Sequence, residues 1–235
     1  MIRVYKLAAG VILLSQAFSD GAFASPVTLS GDTVDYTFDD ALLGLFGPAS
    51  LSGDTLYFTP VSFQAESLNG AGYALAKSTM NIEVSARDGW SFSNMALSEQ
   101  GDYLLLGTAS TADVTGQIRV RDVADPGADM TASIVSNAPL DQTGLPTSNW
   151  DADAAIDLSA WNDTQTVNVT VQNLLLTSTT GTSSLAFVDK KFVGLTPTMA
   201  AISPVPEVQT YAMMLAGLGL IGWKVGRRRT PLSHL

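Results

Sequence analysis

The sequence predicts a mainly β protein: an antiparallel β-sandwich, with a jelly-roll arrangement as one option, carrying an N-terminal signal helix and a single C-terminal transmembrane helix. Three observations predict it. Ile82, Val84 and Ala86 alternate with Glu83, Ser85 and Arg87, and Val167, Val169 and Val171 alternate with Thr166, Asn168 and Thr170. A period of two puts one set on each face of a strand, so one face is buried and the other wet. Runs rich in Val, Thr, Tyr, Phe and Ile are separated by turns rich in Gly, Asp, Ser and Asn, the pattern of many short antiparallel strands. The chain has 235 residues and no cysteine, so a body of about 180 residues between its end segments must stand on one hydrophobic core without disulfides.

Taken in order, strands are expected at residues 33–38, 55–63, 74–87, 103–108, 116–123, 131–135, 164–177 and 184–193. Gly31-Asp32, Gly53-Asp54, Gly101-Asp102 and Pro126-Gly127 supply turn residues. A helical turn or two is expected at 40–46, with Asp39 or Asp40 able to cap its first amides. Leu174-Leu175-Leu176 interrupts the alternation, which suggests a bulge or a fully buried strand end. Residues 177–184 are almost all Ser, Thr and Gly and read as an exposed hairpin loop, a place for attached sugars.

The two ends carry addresses. Arg3 and Lys6 precede an apolar run at 7–14, and Ala22-Phe23-Ala24 forms an A-x-A cleavage site that makes Ser25 the first mature residue. Near the other end, residues 211–223 hold no charge, and extending the stretch to 208–226 gives nineteen residues. As a helix these span about 28 Å, close to a bilayer core. Tyr211 and Trp223 stand at its two ends as interfacial aromatics, Lys224 snorkels, and Arg227, Arg228 and Arg229 hold that end on the cytoplasmic side. Gly217, Gly219 and Gly222 spell G-x-G-x-x-G, but no strand and no room for a second one surround them, so a dinucleotide site is rejected.

Pro204, Val205, Pro206 and Glu207, the apolar helix and the arginine cluster follow one another in that order. In this the segment resembles a PEP-CTERM sorting signal, the C-terminal tag of many Gram-negative envelope proteins. Pro206 and Glu207 match the first two motif positions, and Val208 stands where the second proline is usual. The resemblance covers about the last tenth of the chain. It implies recognition and trimming by exosortase, a membrane cysteine transpeptidase. The rest of the chain is similar to cargo proteins of that class, which brings no activity with it. The implied organisation is a signal peptide at 1–24, an ectodomain at 25–203, the sorting signal at 204–229 and a cytoplasmic tail at 230–235.

Composition excludes much chemistry. The sole histidine is His234, beyond the apolar helix, so the ectodomain has neither His nor Cys. That removes Ser-His-Asp and Cys-His catalysis and the usual Zn²⁺ ligands. Residues 25–206 hold twenty carboxylates against six Lys and Arg, a net charge of about −14 that repels nucleic acid. A carboxylate-pair glycosidase would have to use Glu66, Glu83 or Glu99, the ectodomain's only glutamates, and none stands in a recognisable site context. Asp122, Asp125 and Asp129, and separately Asp151, Asp153 and Asp157, cluster as loop oxygens of the kind Ca²⁺ takes, without the EF-hand pattern. Ordinary solvated turn aspartates and caps are the preferred explanation. Trp150 after Asn149 and Trp161 before Asn162 are candidate sugar contacts, against the alternative of core anchors. No cofactor is implied. The expectation is an exported, non-enzymatic envelope or matrix protein associated with exopolysaccharide. A carbohydrate- or calcium-binding module is the alternative, and a carboxylate-based glycan enzyme the third.

Overall fold

The period-two runs become twelve strands: β1 (Val27–Ser30), β2 (Val34–Phe38), β3 (Ala49–Ser52), β4 (Thr55–Phe58), β5 (Gln64–Leu68), β6 (Gly72–Ala86), β7 (Trp90–Leu106), β8 (Ser110–Asp122), β9 (Asp129–Val135), β10 (Ser148–Asp157), β11 (Thr166–Thr179) and β12 (Leu185–Ala201). Among the described residues one α-helix follows, α1 (Val208–Arg227). This is a computed structural model that describes residues 26–161, 164–202 and 208–227, with the side chains of 212–224 in the last segment. The candidate residues Ala22, Ala24, Ser25, Pro204, Val205, Pro206, Glu207, Arg228 and Arg229 lie outside the described residues, as do the side chains of Tyr211 and Arg227.

Two antiparallel sheets face each other. One runs β1-β2-β6-β11-β8-β9; the other runs β10-β7-β12-β4-β3, with β5 also paired to β12. Ile82, Val84, Val167, Val169 and Val171 from the first sheet meet Met95, Leu97, Val188, Val193 and Leu195 from the second, all essentially without exposure. Phe46, Phe58 and Phe63 close one side of this core through edge-on ring contacts at 5.5 and 6.1 Å. Sheet edges are where strands aggregate, and here each is tied to the opposite sheet. Asp54, in the β3–β4 turn, accepts from the Thr33 amide at 2.8 Å and the Thr33 hydroxyl at 2.6 Å, in the β1–β2 turn. On the far side the Asn137 amide, just past β9, donates to the Asp151 carbonyl of β10 at 2.8 Å.

Some expectations need correction. Gly101-Asp102 is no turn: it lies inside the seventeen-residue β7, opposite Trp150 of β10. Asp151, Asp153 and Asp157 sit on β10, not on a loop, and occupy its exposed face. Leu174-Leu175-Leu176 carries no bulge; the ladder to β6 and β8 runs through it unbroken. The 177–184 segment is not an exposed hairpin loop, because β11 and β12 belong to different sheets and Thr177, Thr179 and Ser184 are buried. The helical turns expected at 40–46 do form, as two short 3₁₀ turns, the first capped by the Asp39 side chain.

The C-terminal helix forms where the sequence places it. Met213, Leu215, Leu218, Leu220, Ile221 and Trp223 are each more than half exposed. Among the described residues no helix is long and apolar enough to cross a membrane. The expected nineteen-residue span contains Gln209, Thr210 and Lys224 as well as four glycines, and these dilute its apolar content.

Candidate functional site

One feature of β12 organises both faces of the second sheet. Its pairing with β7 slips by one residue between Lys190 and Phe192. Lys191 is therefore an extra residue, a β-bulge that lets two consecutive side chains point outward while Lys190 and Val193 both point inward.

On the outer face the bulge shapes a groove of about 360 Å³ lined by Gln100, Asp102, Asn149, Asp151, Lys191 and Phe192. The Phe192 ring stacks on Tyr57 of β4, centroids 6.3 Å apart and planes within 22°. It also overlies Gly194, where a Cβ would come within 3.0 Å of the ring. Lys191 pairs with Asp102 and lies 3.9 Å from Asp189. Burial pushes the Asp189 carboxyl above its ordinary value, against the hydrogen bond from the Asp102 amide and the Lys191 charge. The groove thus offers a flat apolar surface beside amide and carboxylate groups. This pairing suits a ring that is apolar on one face and hydroxylated at its rim.

On the inner face Lys190, Glu99 and Asn173 meet. Lys190 and Glu99 have no exposed side-chain surface, and Asn173 is equally sealed. The Lys190 Nζ donates to Glu99 Oε2 and to Asn173 Oδ1, and Asn173 Nδ2 donates to Glu99 Oε1 at 2.7 Å. Two aromatic rings wall the ammonium, Trp150 at 5.3 Å and Phe63 at 5.6 Å from their centroids. Burial lowers the Lys190 pKa, and the neighbouring Glu99 opposes that shift without reversing it. Each of the three residues takes an inward phase: Leu97-x-Glu99-x-Gly101 on β7, Val171-x-Asn173-x-Leu175 on β11, and Val188-x-Lys190 on β12. The sequence reading missed this group, although a polar residue in the apolar phase of an alternating strand was the signal for it.

The predicted site residues fare differently. Trp150 belongs to the lining of the outer groove but is only 4% exposed, and its indole N–H donates to the Asp189 carbonyl at 3.0 Å. Trp161 packs partly buried against the core. Trp150 lies near the start of β10, and Trp161 four residues beyond its end at Asp157. The calcium candidates are all engaged elsewhere. Asp122 accepts from the Thr164 hydroxyl at 2.9 Å, Asp125 from the Gly127 amide at 3.1 Å, and Asp129 grips Arg119. Asp151 and Asp153 share the Asn137 side-chain amide, and Asp157 accepts from the Ser159 amide at 2.9 Å. Among the described residues no group of three or more His, Cys, Asp or Glu is placed to hold a metal ion. Of the glutamates, Glu66 and Glu83 sit on the outer faces of β5 and β6, in different sheets, and Glu99 is sealed in the core.

No protein-family model and no curated protein matches the chain. Among solved structures, an infectious bursal disease virus Gt strain structure is similar over 80% of this chain at 11% identity and a TM-score of 0.29, and this chain spans 60% of its length. TmCBM61 in complex with beta-1,4-galactotriose is similar over 73% of this chain and 88% of its own, at 14% identity and a TM-score of 0.19. At such scores these likenesses carry no argument about function.

Proposed function

We propose that this chain is a non-enzymatic protein of the cell envelope or extracellular matrix, exported and sorted by its C-terminal tail. The observation that supports it most is α1, a helix that leaves its large apolar side chains exposed beside a β-sandwich with a closed core of its own. Such a surface requires a partner, since exposed contiguous apolar residues mark binding sites or membrane contacts. Under this reading α1 holds the chain at the inner membrane with the sandwich on the periplasmic side, and the basic cluster Lys224, Arg227, Arg228 and Arg229 fixes orientation. An exosortase-type enzyme then recognises the Pro206-Glu207 region and releases the sandwich to the surface, among exopolysaccharide. Changing Arg227, Arg228 and Arg229 to Glu should trap untrimmed protein, seen by mass spectrometry of the C-terminus. An unchanged yield of trimmed chain refutes the reading.

The groove favours a second reading, in which the sandwich holds a neutral polysaccharide. The ring pair Phe192–Tyr57 and the amides of Gln100 and Asn149 would take this role, in place of Trp150 and Trp161. Phe192→Ala, compared with the wild type at a temperature where both are folded, should weaken retention on neutral glycan about tenfold. Equal retention removes the groove from consideration.

A further inference from the structure

We propose that Lys190 and Asn173 join covalently inside the folded sandwich, forming an isopeptide bond between β12 and β11 with Glu99 as the proton relay. The group contains each part such a reaction needs and little else. Lys190 supplies an amine, Asn173 a carboxamide whose Cγ is the electrophile, and Glu99 a carboxyl that touches both nitrogens. Glu99 Oε1 accepts from Asn173 Nδ2, the leaving nitrogen, at 2.7 Å, while Oε2 faces the Lys190 Nζ. The Lys190 Nζ also donates to Asn173 Oδ1, which polarises the carbonyl it would attack.

The step balances without any outside reagent. Burial favours the neutral amine, and the adjacent carboxylate takes the ammonium proton, which frees the nitrogen lone pair. The Nζ–Cγ bond forms as Nζ adds to the amide carbon. Glu99 passes one proton from Nζ to Nδ2, the Cγ–Nδ2 bond breaks, and ammonia leaves. Nothing is oxidised or reduced. The walls of Trp150 and Phe63 and the complete burial of all three side chains exclude the water that would compete as a nucleophile. The fold supplies proximity: three strands from two sheets hold the reacting groups at fixed positions, which turns an otherwise negligible amide exchange into an intramolecular one.

The bond would tie the first sheet to the second in a chain that has no cysteine and so no other covalent staple. Its two ends lie seventeen positions apart in the chain, so it closes a loop with sixteen residues between Asn173 and Lys190. This inference goes beyond the sorting reading and does not depend on it.

The test is a mass. The full chain is purified from exporting cells, denatured and digested with trypsin. No Lys or Arg lies between Arg121 and Lys190, so the diagnostic peptide covers 122–191 when cleavage after Lys190 is blocked. The expected result is that blocked peptide, lighter than its sequence by about 17 Da, the mass of ammonia. Lys190→Met and Glu99→Gln should each give chains at full sequence mass, with Glu99→Gln cleavable after Lys190. A wild-type peptide at full mass overturns the proposal whether or not the variants fold. So does a 17 Da deficit with cleavage after Lys190 intact, since that marks an Asn succinimide and not a link to the lysine (about 17 Da in either case).

Discussion

Asp54 illustrates how a single carboxylate can fasten a sheet edge. Burial would raise its pKa, but hydrogen bonds from the Thr33 hydroxyl and amide, and from the Asp32 and Val34 amides, outweigh that and hold it below 3.8. The ionised form is therefore the one the fold prefers. The stability it adds is present above pH 3.8 and is lost as the pH falls through the lower folded-state value. Asp54→Ala removes the charged acceptor of these donors and should lower stability by about 1.5–3 kcal/mol near neutral pH. The wild-type and variant stabilities, from urea melts, should converge in acid, and a constant gap down to pH 2 would refute the assignment (about the pH range over which carboxylates titrate). Gly101 makes a complementary point. A Cβ there would lie 1.9 Å from the Asp189 carbonyl oxygen and 2.7 Å from the Trp150 ring, so the glycine is what lets Trp150 cross β7 and wall the lysine. In the sequence the Gly-Asp pair looks like a turn, because a glycine admitted for close approach and one admitted for a turn are the same letter.

At the scale of the element, alternation made β2, β6, β9 and β11 legible to within two residues, and β8 apart from its first six. It failed where strands carry polar residues in apolar phases or short weak patterns. β10 reads as an aspartate loop because four of its five outward positions are Asn149, Asp151, Asp153 and Asp157, while two of its inward ones are merely alanine. Most of β7, residues 90–102, was missed for a similar reason: Ser91, Ser93, Asn94, Ser98 and Gln100 mask Phe92, Met95 and Leu97. The buried group was illegible because Glu, Asn and Lys on three strands come together only through the sheet order. The β12 bulge was equally hidden, and it yields a prediction. Lys190 faces in, Phe192 faces out and Val193 faces in, so removing Lys191 restores strict alternation instead of flipping the strand. Deleting Lys191 should cost less than about 1.5 kcal/mol, mostly the surface pair with Asp102 and some local twist. Inserting one residue between Val193 and Gly194 should instead unfold the sheet, since Leu195 would turn to solvent. Equal damage from both changes, read by circular dichroism melts, would refute the bulge.

For the whole molecule the governing quantity is the charge imbalance. The sandwich segment carries about −14. Exposed pairs offset little of it: Arg87–Asp35, Arg119–Asp129 and Lys191–Asp102 each join flexible, solvated groups. Such pairs add little and weaken as salt is added. The remaining carboxylates repel one another across a body whose folded state holds them closer than its unfolded state does. Raising NaCl from 0.1 to 1 M shortens the screening length from about 10 to about 3 Å. That removes more repulsion than attraction here, so the melting temperature should rise by a few degrees, about 2–4 °C per kcal/mol gained. The Lys190–Glu99 pair does not contribute to the slope, because no solvent reaches it. Asp153→Asn separates this from a general salt effect: it leaves one carboxylate on the Asn137 amide where two now sit, and so should flatten the salt dependence. A melting temperature that falls with NaCl would mean that the ion pairs, and not the excess acid, dominate the surface of this protein.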